Sequence, residues 1–378
     1  MSKIDSQQFG NMKGSSTSHY LISMIDSILK GLDKPGYVAS VCTIDYAKAF
    51  DHINHNVLIE KLFDLGTDPN TILLLCSYLE NRSHCVRLGS TFSEPLPVTC
   101  GVPQGTRLGP ILFLIMINDV ATSTPLRWKY VDDLSVAEIR HKSQPSVLQD
   151  HLSLITECSV DNQMTPKPEK CKVLHISFLR NQIVMPEVSI SDSVLQPTEF
   201  VKLLGVHLQS DMKWDRQVEN AVKQASQRFY ILCVLRKHKA PLEDLVAIYI
   251  MYIRPLVEYA SPVWSSSITA NQSNKIERVQ KRSCRIILGY NYVDYLHALQ
   301  VLQIPSLADR RQQLFINFVK SLLQSRHSSM LPPRRDSLPN FRQLRNSDPL
   351  CQPTCRTSRY QNSFIPQAVK VINMMKLV

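Results

Sequence analysis

The strongest constraint on this chain is where it places its aspartates. An apolar run at residues 38–44, Val-Ala-Ser-Val-Cys-Thr-Ile, leads directly into Asp45. Further on, Asp132 and Asp133 sit inside the string Lys-Tyr-Val-Asp-Asp-Leu. The first run reads as a buried strand, and residues 127–131 and 134–137 read as two strands joined at the acidic pair. A carboxylate ending a buried strand is costly unless it is paired or bound to a metal. Two adjacent carboxylates at a hairpin tip repel one another and gain from a hard cation, which magnesium sites supply with one or two carboxylates plus water and phosphate oxygens. Turns favour aspartate for backbone reasons too, so the pair taken alone reads first as turn chemistry.

The surrounding pattern is that of an α+β chain. Helical spacing covers residues 20–29, 56–65 (stopped by Gly66) and 70–79. Short strands are expected at 85–88 and 96–99, and Pro110 suits the first turn of a helix reaching about Val120. A helix near 146–158, strands near 172–178 and 201–208, and mostly helices beyond them complete the reading, with a loop-like tail after Ser328 until a short helix at 366–375. Charge divides the chain more sharply than the elements do. Residues 1–200 carry 17 Lys and Arg against 21 Asp and Glu, whereas residues 201–378 carry 26 against 11. An acidic half suited to cations thus precedes a basic half suited to a polyanion, although charge alone also fits a merely soluble basic surface. The most apolar stretch, residues 111–117, is far short of the roughly 18 residues a membrane span needs, so no membrane partner is expected. The start lacks a secretory signal, and ten scattered cysteines fit reduced thiols. The chain is therefore expected inside the cell, nuclear or cytoplasmic, and not secreted. Cys351 and Cys355 lack a second pair at finger spacing, which argues against zinc.

Between the acidic sites lies Gly-Val-Pro-Gln-Gly-Thr-Arg-Leu-Gly-Pro (residues 101–110), a loop entering a helix. Such a loop lets backbone approach a ligand, and Gln104 offers both amide donors and an acceptor. Acidic strand end, Pro-Gln-Gly loop and Tyr-Val-Asp-Asp hairpin, in this order, resemble motifs A, B and C of the reverse transcriptase palm. The longer strings are similar to the jockey-like branch of non-LTR retrotransposon polymerases. The resemblance spans most of the chain: Gln8-Phe-Gly with residues 13–17 before motif A, residues 164–172 as motif D, residues 203–208 as motif E, and residues 252–255, 260–264 and 276–280 in the thumb. Residues 306–311 and 363–366 look typical of the carboxyl-terminal region.

The resemblance implies a right-hand polymerase, with a palm at 37–209, a helical basic thumb at 210–300, a carboxyl-terminal extension at 301–378, and a remnant of the preceding fingers at 1–36. It implies that Asp45, Asp132 and Asp133 hold two magnesium ions, with manganese as the substitute. Lys170 would act beside the leaving pyrophosphate, though a solvated lysine fits as well. Phe50 would gate against ribonucleotides, or simply pack. Tyr46, Gln104, Gly105, Tyr130 and Val131 would line the nucleotide site, and Leu204, Gly205 and Val206 would form the primer grip. The partners implied are an RNA template, a DNA primer and deoxynucleoside triphosphates. Independently of the resemblance, Arg278, Lys281, Arg282 and Arg285 recur at helical spacing while Ile276, Val279, Ile286 and Ile287 face inward, which suits a helix laid along phosphates.

Some residues depart from the family pattern. Thr106 stands for the usual serine, Arg107 for an apolar residue, Lys167 for an asparagine, and Asn11-Met12 for an aromatic-basic pair. Upstream finger segments and an endonuclease domain are also expected of full members. The reading therefore stays divided between an active polymerase fragment (its fingers supplied by another chain) and a catalytically impaired nucleic-acid-binding remnant or dormant fragment.

Overall fold

A computed structural model of the protein describes residues 4–181, 183–337 and 348–376, so the expected tail after Ser328 lies partly outside the described residues. The chain is mixed helix and sheet and forms two compact units. The first comprises the described residues up to Ser16, then Gly36–His175 and Leu179–Thr198. The second comprises Thr17–Pro35, Ile176–Phe178 and the described residues from Glu199 onward.

A four-stranded sheet organises the first unit, in the order Arg127–Tyr130, Asp133–His141, Tyr37–Ile44, Lys172–Ile176. The two central strands pair antiparallel from Tyr37 opposite His141 to Ile44 opposite Leu134. Cys42, Ile44, Leu134 and Val136 from this sheet join a core completed by Leu58 and Leu62 of helix His55–Asp64, Ile72 and Leu75 of Pro69–Leu79, Phe113 of Leu108–Met116 and Leu152 of Leu148–Asp161. Each fully buried side chain of this kind contributes about 1.5–3 kcal/mol. Local chemistry sets the helix starts: the Asn54 side chain accepts the amides of Asn56 and Val57, and Asp68 accepts that of Thr71 with Pro69 beside it.

The structure refines the sequence expectations at three places. The helix holding Pro110 ends at Met116 rather than near Val120. The Lys129 ammonium takes the carbonyls of Ile117 and Asn118 at 3.1 and 2.8 Å, removing the acceptors that further helical turns would use. The two short strands expected at 85–88 and 96–99 become an exposed ribbon of four two-residue strands, in which Ser83–His84 pairs with Leu96–Pro97 and Arg87–Leu88 with Thr91–Phe92. The strand expected at 201–208 is a hairpin of Phe200–Leu203 and Val206–Gln209, turning on Leu204 and Gly205, both at positive φ.

The second unit is mainly helical. Its long helices Asp215–Lys237 and Ala270–Leu288 are accompanied by Leu307–Leu323 and Phe364–Met375. Helix Thr17–Leu32 belongs to it as well: the carboxylate of Asp33 accepts the amides of Arg356 and Thr357, each at 2.8 Å, binding this early segment to the end of the chain. The 200–209 hairpin joins the same unit through Tyr259, whose hydroxyl donates to the Leu204 carbonyl at 2.7 Å, and through the Gln217 side chain, which accepts the His207 amide. Pro255 cannot donate to a helical ladder, and the turn before it, Tyr249–Ile253, widens to a π-turn whose Tyr252 carbonyl is taken by Arg228. No helix among the described residues is long and apolar enough to cross a membrane, and the ten cysteines are free.

A buried ion cluster underlies the acidic hairpin. Asp5, 3% exposed at its side chain, receives Arg127 through both oxygens at 2.9 and 3.0 Å and pairs with the fully buried Lys129 at 2.9 Å. Burial alone would raise the Asp5 carboxyl, but its hydrogen bond from Arg127 and the charge of Lys129 outweigh that and hold it at about 2. Asp5→Ala, which strands the Lys129 ammonium, is expected to lower unfolding free energy by about 3–5 kcal/mol in urea titration at pH 7. A loss below 1 kcal/mol would show that this cluster does not support the hairpin.

Candidate active site

The strand register builds the centre of the site. Ile44 pairs with Leu134 and Tyr130 with Asp133, so Asp45, the residue after Ile44, lies beside Asp133 at the same end of the sheet. Val131 and Asp132 form the two-residue turn, and Val131 takes φ +59°, a left-handed conformation that a β-branched residue rarely adopts. Loss of hydration at the crowded hairpin tip raises the Asp133 carboxyl to about 6, with the charges of Asp132 and Asp45 adding to it. Asp132 is raised for the same first reason and by Asp45, against the opposing charge of Lys170. The Lys170 ammonium stands 3.2 Å from Asp45 Oδ2, an oxygen that is buried and has no hydrogen-bond partner. Three mutually repelling carboxylates thus share one nearby cation. Their hard oxygen donors suit a divalent ion, which would reverse the rise of their pKa values. As the side chains stand, no group of three acidic, histidine or cysteine residues among those described is gathered closely enough to hold one ion.

The strained turn is braced from the amino-terminal segment. Phe9 N donates to Lys129 O at 2.8 Å and Lys129 N to Gln7 O, so residues 7–9 run as an extra edge along the hairpin. Gln8 is 1% exposed, and its side-chain oxygen accepts the amides of Val131 at 3.1 Å and Gly10 at 2.9 Å. Gly10 is required by close approach, because a Cβ there would lie 2.5 Å from Val131 N. The string Gln8-Phe-Gly is visible in the sequence. Its role is not, since the partner of Gln8 lies 123 positions away.

The Pro-Gln-Gly loop is fastened to the turn that leaves Asp45. Gly101 N donates to Ile53 O and Val102 N to Phe50 O, at 2.8 and 2.9 Å, while Gln104 Nε2 donates to Asp51 Oδ1 at 2.7 Å. Gly101, at φ +84°, leaves no room for a side chain, since a Cβ would stand 2.6 Å from Asp51 O. Thr106 behaves as a helix cap: its hydroxyl accepts the Gly109 amide and donates to Pro103 O, so threonine satisfies what serine would. Arg107 is exposed and leaves the packing undisturbed. Gly105 sits at φ +77° with open space around it.

The remaining expected residues divide. Phe50 stacks on Phe113 with centroids 4.6 Å apart, so it packs as a core residue whatever else it does. Tyr130 is half-buried on its strand. Tyr46 is a correction to the expected nucleotide-facing residue: its side chain is 5% exposed and bonds to Ser159 Oγ at 3.0 Å, leaving only its backbone near Asp45. Residues 164–172 do flank Asp45, through Ala47 N to Thr165 O and Lys167 N to Asp45 O. Leu204, Gly205 and Val206 form the hairpin turn of the second unit, where a Cβ on Gly205 would meet the Tyr259 ring at 3.0 Å. On helix Ala270–Leu288, Arg278, Arg282 and Arg285 are exposed and Lys281 half-buried, with Ile276, Val279 and Ile287 inside and Ile286 between. Lys281, Arg282 and Arg285 lie over the rings of Tyr295, Phe229 and Tyr292 at 5.0, 4.8 and 5.3 Å, which orders the stripe while leaving its charge available.

Comparison with known proteins places these features in context. Residues 1–208 match the family described as reverse transcriptase (RNA-dependent DNA polymerase). The RNA-directed DNA polymerase from mobile element jockey of Drosophila melanogaster is 26% identical over 333 residues, covering 83% of this chain and 35% of that protein. The probable RNA-directed DNA polymerase from transposon BS of the same fly is 26% identical over 298 residues, covering 75% and 33%. The chain thus spans about a third of the length of these curated relatives. Among solved structures, telomerase from Candida albicans in complex with a fragment of telomeric RNA aligns over 81% of this chain and 47% of that one, at 12% identity and a TM-score of 0.42.

The electrostatics of the acidic tip yield a pH-dependent expectation. Because the folded Asp133 carboxyl titrates near 6, above its ordinary value of 3.8, its charge destabilises the fold, fully absent below about pH 4 and developed as pH rises through 6. In chelator at pH 7, Asp133→Asn should therefore raise stability by about 1 kcal/mol, allowing for solvent screening of this exposed side chain. The gain should vanish at pH 4. Thermal unfolding at both values measures it, and an equal effect at the two pH values would contradict the coupling.

Proposed function

The chain belongs to the reverse transcriptase (RNA-dependent DNA polymerase) family, and on that premise we propose that it adds deoxynucleotides to the 3′-hydroxyl of a DNA primer on an RNA template, as the polymerase part of a jockey-like non-LTR retrotransposon enzyme. The observation that carries this reading is the gathering of Asp45, Asp132, Asp133 and Lys170 at one end of the sheet. Asp45, Asp132 and Asp133 are the residues that would hold divalent ions. The fit rests on the buried, unpartnered Oδ2 of Asp45 and the raised Asp133 carboxyl, both unfavourable features that a dication would relieve. Two magnesium ions, or manganese in their place, supply Lewis-acid activation and charge neutralisation in such phosphoryl transfers when bound.

The protein's own residues do the positioning. The Gln8 brace holds the turn that presents Asp132 and Asp133, and the Gln104–Asp51 bond holds the loop where the nucleotide would lie. Gly105, with open space about it, lets the backbone approach sugar or template, and Tyr130 and Val131 support the primer end. Phe50, kept in place by its stack on Phe113, excludes a 2′-hydroxyl. Lys170 carries its charge toward the leaving pyrophosphate. Residues 37–209 serve as palm, 204–206 as primer grip, 210–300 as thumb and 301–378 as extension, with the exposed cations of helix Ala270–Leu288 following the duplex backbone without reading bases.

Primer extension on an RNA template with deoxynucleotides and magnesium tests the activity. The wild-type chain is expected to extend, and the Asp132→Asn/Asp133→Asn double variant to lose at least about a thousandfold in rate while still binding duplex. Equal extension by the double variant would refute the carboxylate assignment. For the thumb reading, replacing Arg278, Lys281 and Arg282 with Ala should weaken duplex binding across all sequences and shrink the dependence of log affinity on log salt by about 2–3. An unchanged salt slope would remove that helix from the interface.

A further inference from the structure

A cavity of about 370 Å³ in the second unit lies at the start of helix Ala270–Leu288, walled also by helices Leu307–Leu323 and Phe364–Met375. Arg311, in the second turn of Leu307–Leu323, lines it and is only 5% exposed. Its Nη2 donates to Ser273 Oγ at 2.7 Å, but its Nη1 is buried without a hydrogen-bond partner. Ser266 lines the same cavity, and its hydroxyl is likewise buried and unpartnered. The acids of the neighbourhood are engaged elsewhere. Glu258 takes Arg310 with both oxygens, at 2.8 and 3.0 Å, and Glu277 accepts the Leu307 and Ala308 amides and the Tyr295 hydroxyl. No acidic side chain among the described residues lines the cavity.

A guanidinium cannot discard its proton, so its burial commits the fold to a permanent positive charge. Arginines placed for stability alone are paired; this one has a free donor turned to a space walled by serines. The adjoining helix start adds to the field. The Thr269–Gln272 capping box serves some of its first amides, and the dipole leaves partial positive charge there. Donors without acceptors, next to a helix start, make a place for an anion.

We infer that this cavity is a binding site for one phosphate group, held by Arg311 Nη1, the Ser266 hydroxyl and the start of helix Ala270–Leu288. Phosphate fits better than a carboxylate because its oxygens can meet all three donor groups at once. It is also the anion that the basic second half of the chain, with 26 Lys and Arg against 11 Asp and Glu, most readily gathers. The site stands apart from the polymerase reading and does not depend on it.

The test uses the full chain. Thermal unfolding is compared in chloride, acetate and inorganic phosphate at one ionic strength, for wild type, Ser266→Ala and Arg311→Gln. Phosphate should raise the wild-type Tm above both other salts. Ser266→Ala should weaken the apparent phosphate affinity about fivefold, the effect of one lost hydrogen bond, and Arg311→Gln should abolish the excess. A second arm measures single-stranded oligonucleotide binding by fluorescence anisotropy. Weakening by Ser266→Ala or Arg311→Gln together with competition by phosphate assigns the group to a strand; unchanged strand affinity with the phosphate effect intact assigns it to a free phosphate or mononucleotide. The inference is overturned if phosphate gives no excess stabilisation over chloride, if acetate matches it, or if Ser266→Ala retains full phosphate affinity. Because Ser266→Ala removes only a hydroxyl, the comparison stands even if Arg311→Gln fails to fold.

Discussion

The antiparallel pairing of Tyr37–Ile44 with Asp133–His141 is the interaction on which the first unit depends. A slip of one residue would turn Cys42 and Ile44 out of the core and move Asp45 away from the hairpin, because strand side chains alternate faces. Register is therefore enforced by packing. Cys42, Ile44, Leu134 and Val136 share one apolar cluster with four helices, and the position of the carboxylates follows from that burial. The site inherits its geometry from the core rather than from its own polar contacts.

What the site itself adds is unfavourable in isolation. Val131 holds a left-handed backbone, Asp133 titrates near 6, and a buried oxygen of Asp45 lacks a hydrogen bond. Such departures persist only where surrounding structure over-determines them, and they mark places built for chemistry. Here the compensation is specific. Gln8 satisfies the turn amides, Asp5 neutralises Lys129 beneath the hairpin, and Lys129 ends the Leu108–Met116 helix by claiming its following carbonyls. The same lysine therefore shapes the strand it belongs to and the helix leading from the Pro-Gln-Gly loop.

The second unit uses arginine in two ways. Along helix Ala270–Leu288 the cations are laid over aromatic rings and kept in solvent, where they are inexpensive and can meet a polyanion. Arg311 is instead buried with one nitrogen unserved, a costly arrangement whose return has to come from a ligand.

Reading the chain residue by residue recovered a good deal. Periodicity and punctuation located nearly every helix and strand, the order of acidic strand end, Pro-Gln-Gly loop and Tyr-Val-Asp-Asp hairpin carried the family, and helical spacing found the stripe at Arg278, Lys281, Arg282 and Arg285. These are local signals, legible because side-chain period and turn preference depend only on neighbours in the chain. Tertiary structure alone decided the rest. Tyr46 turned inward to Ser159, Gln8 found Val131, Asp5 found Arg127 and Lys129, and Asp33 reached Arg356 and Thr357 to draw an early helix into the second unit. Each joins residues more than a hundred positions apart, and a linear sequence carries the donors and acceptors of such bonds but not the packing that chooses among them.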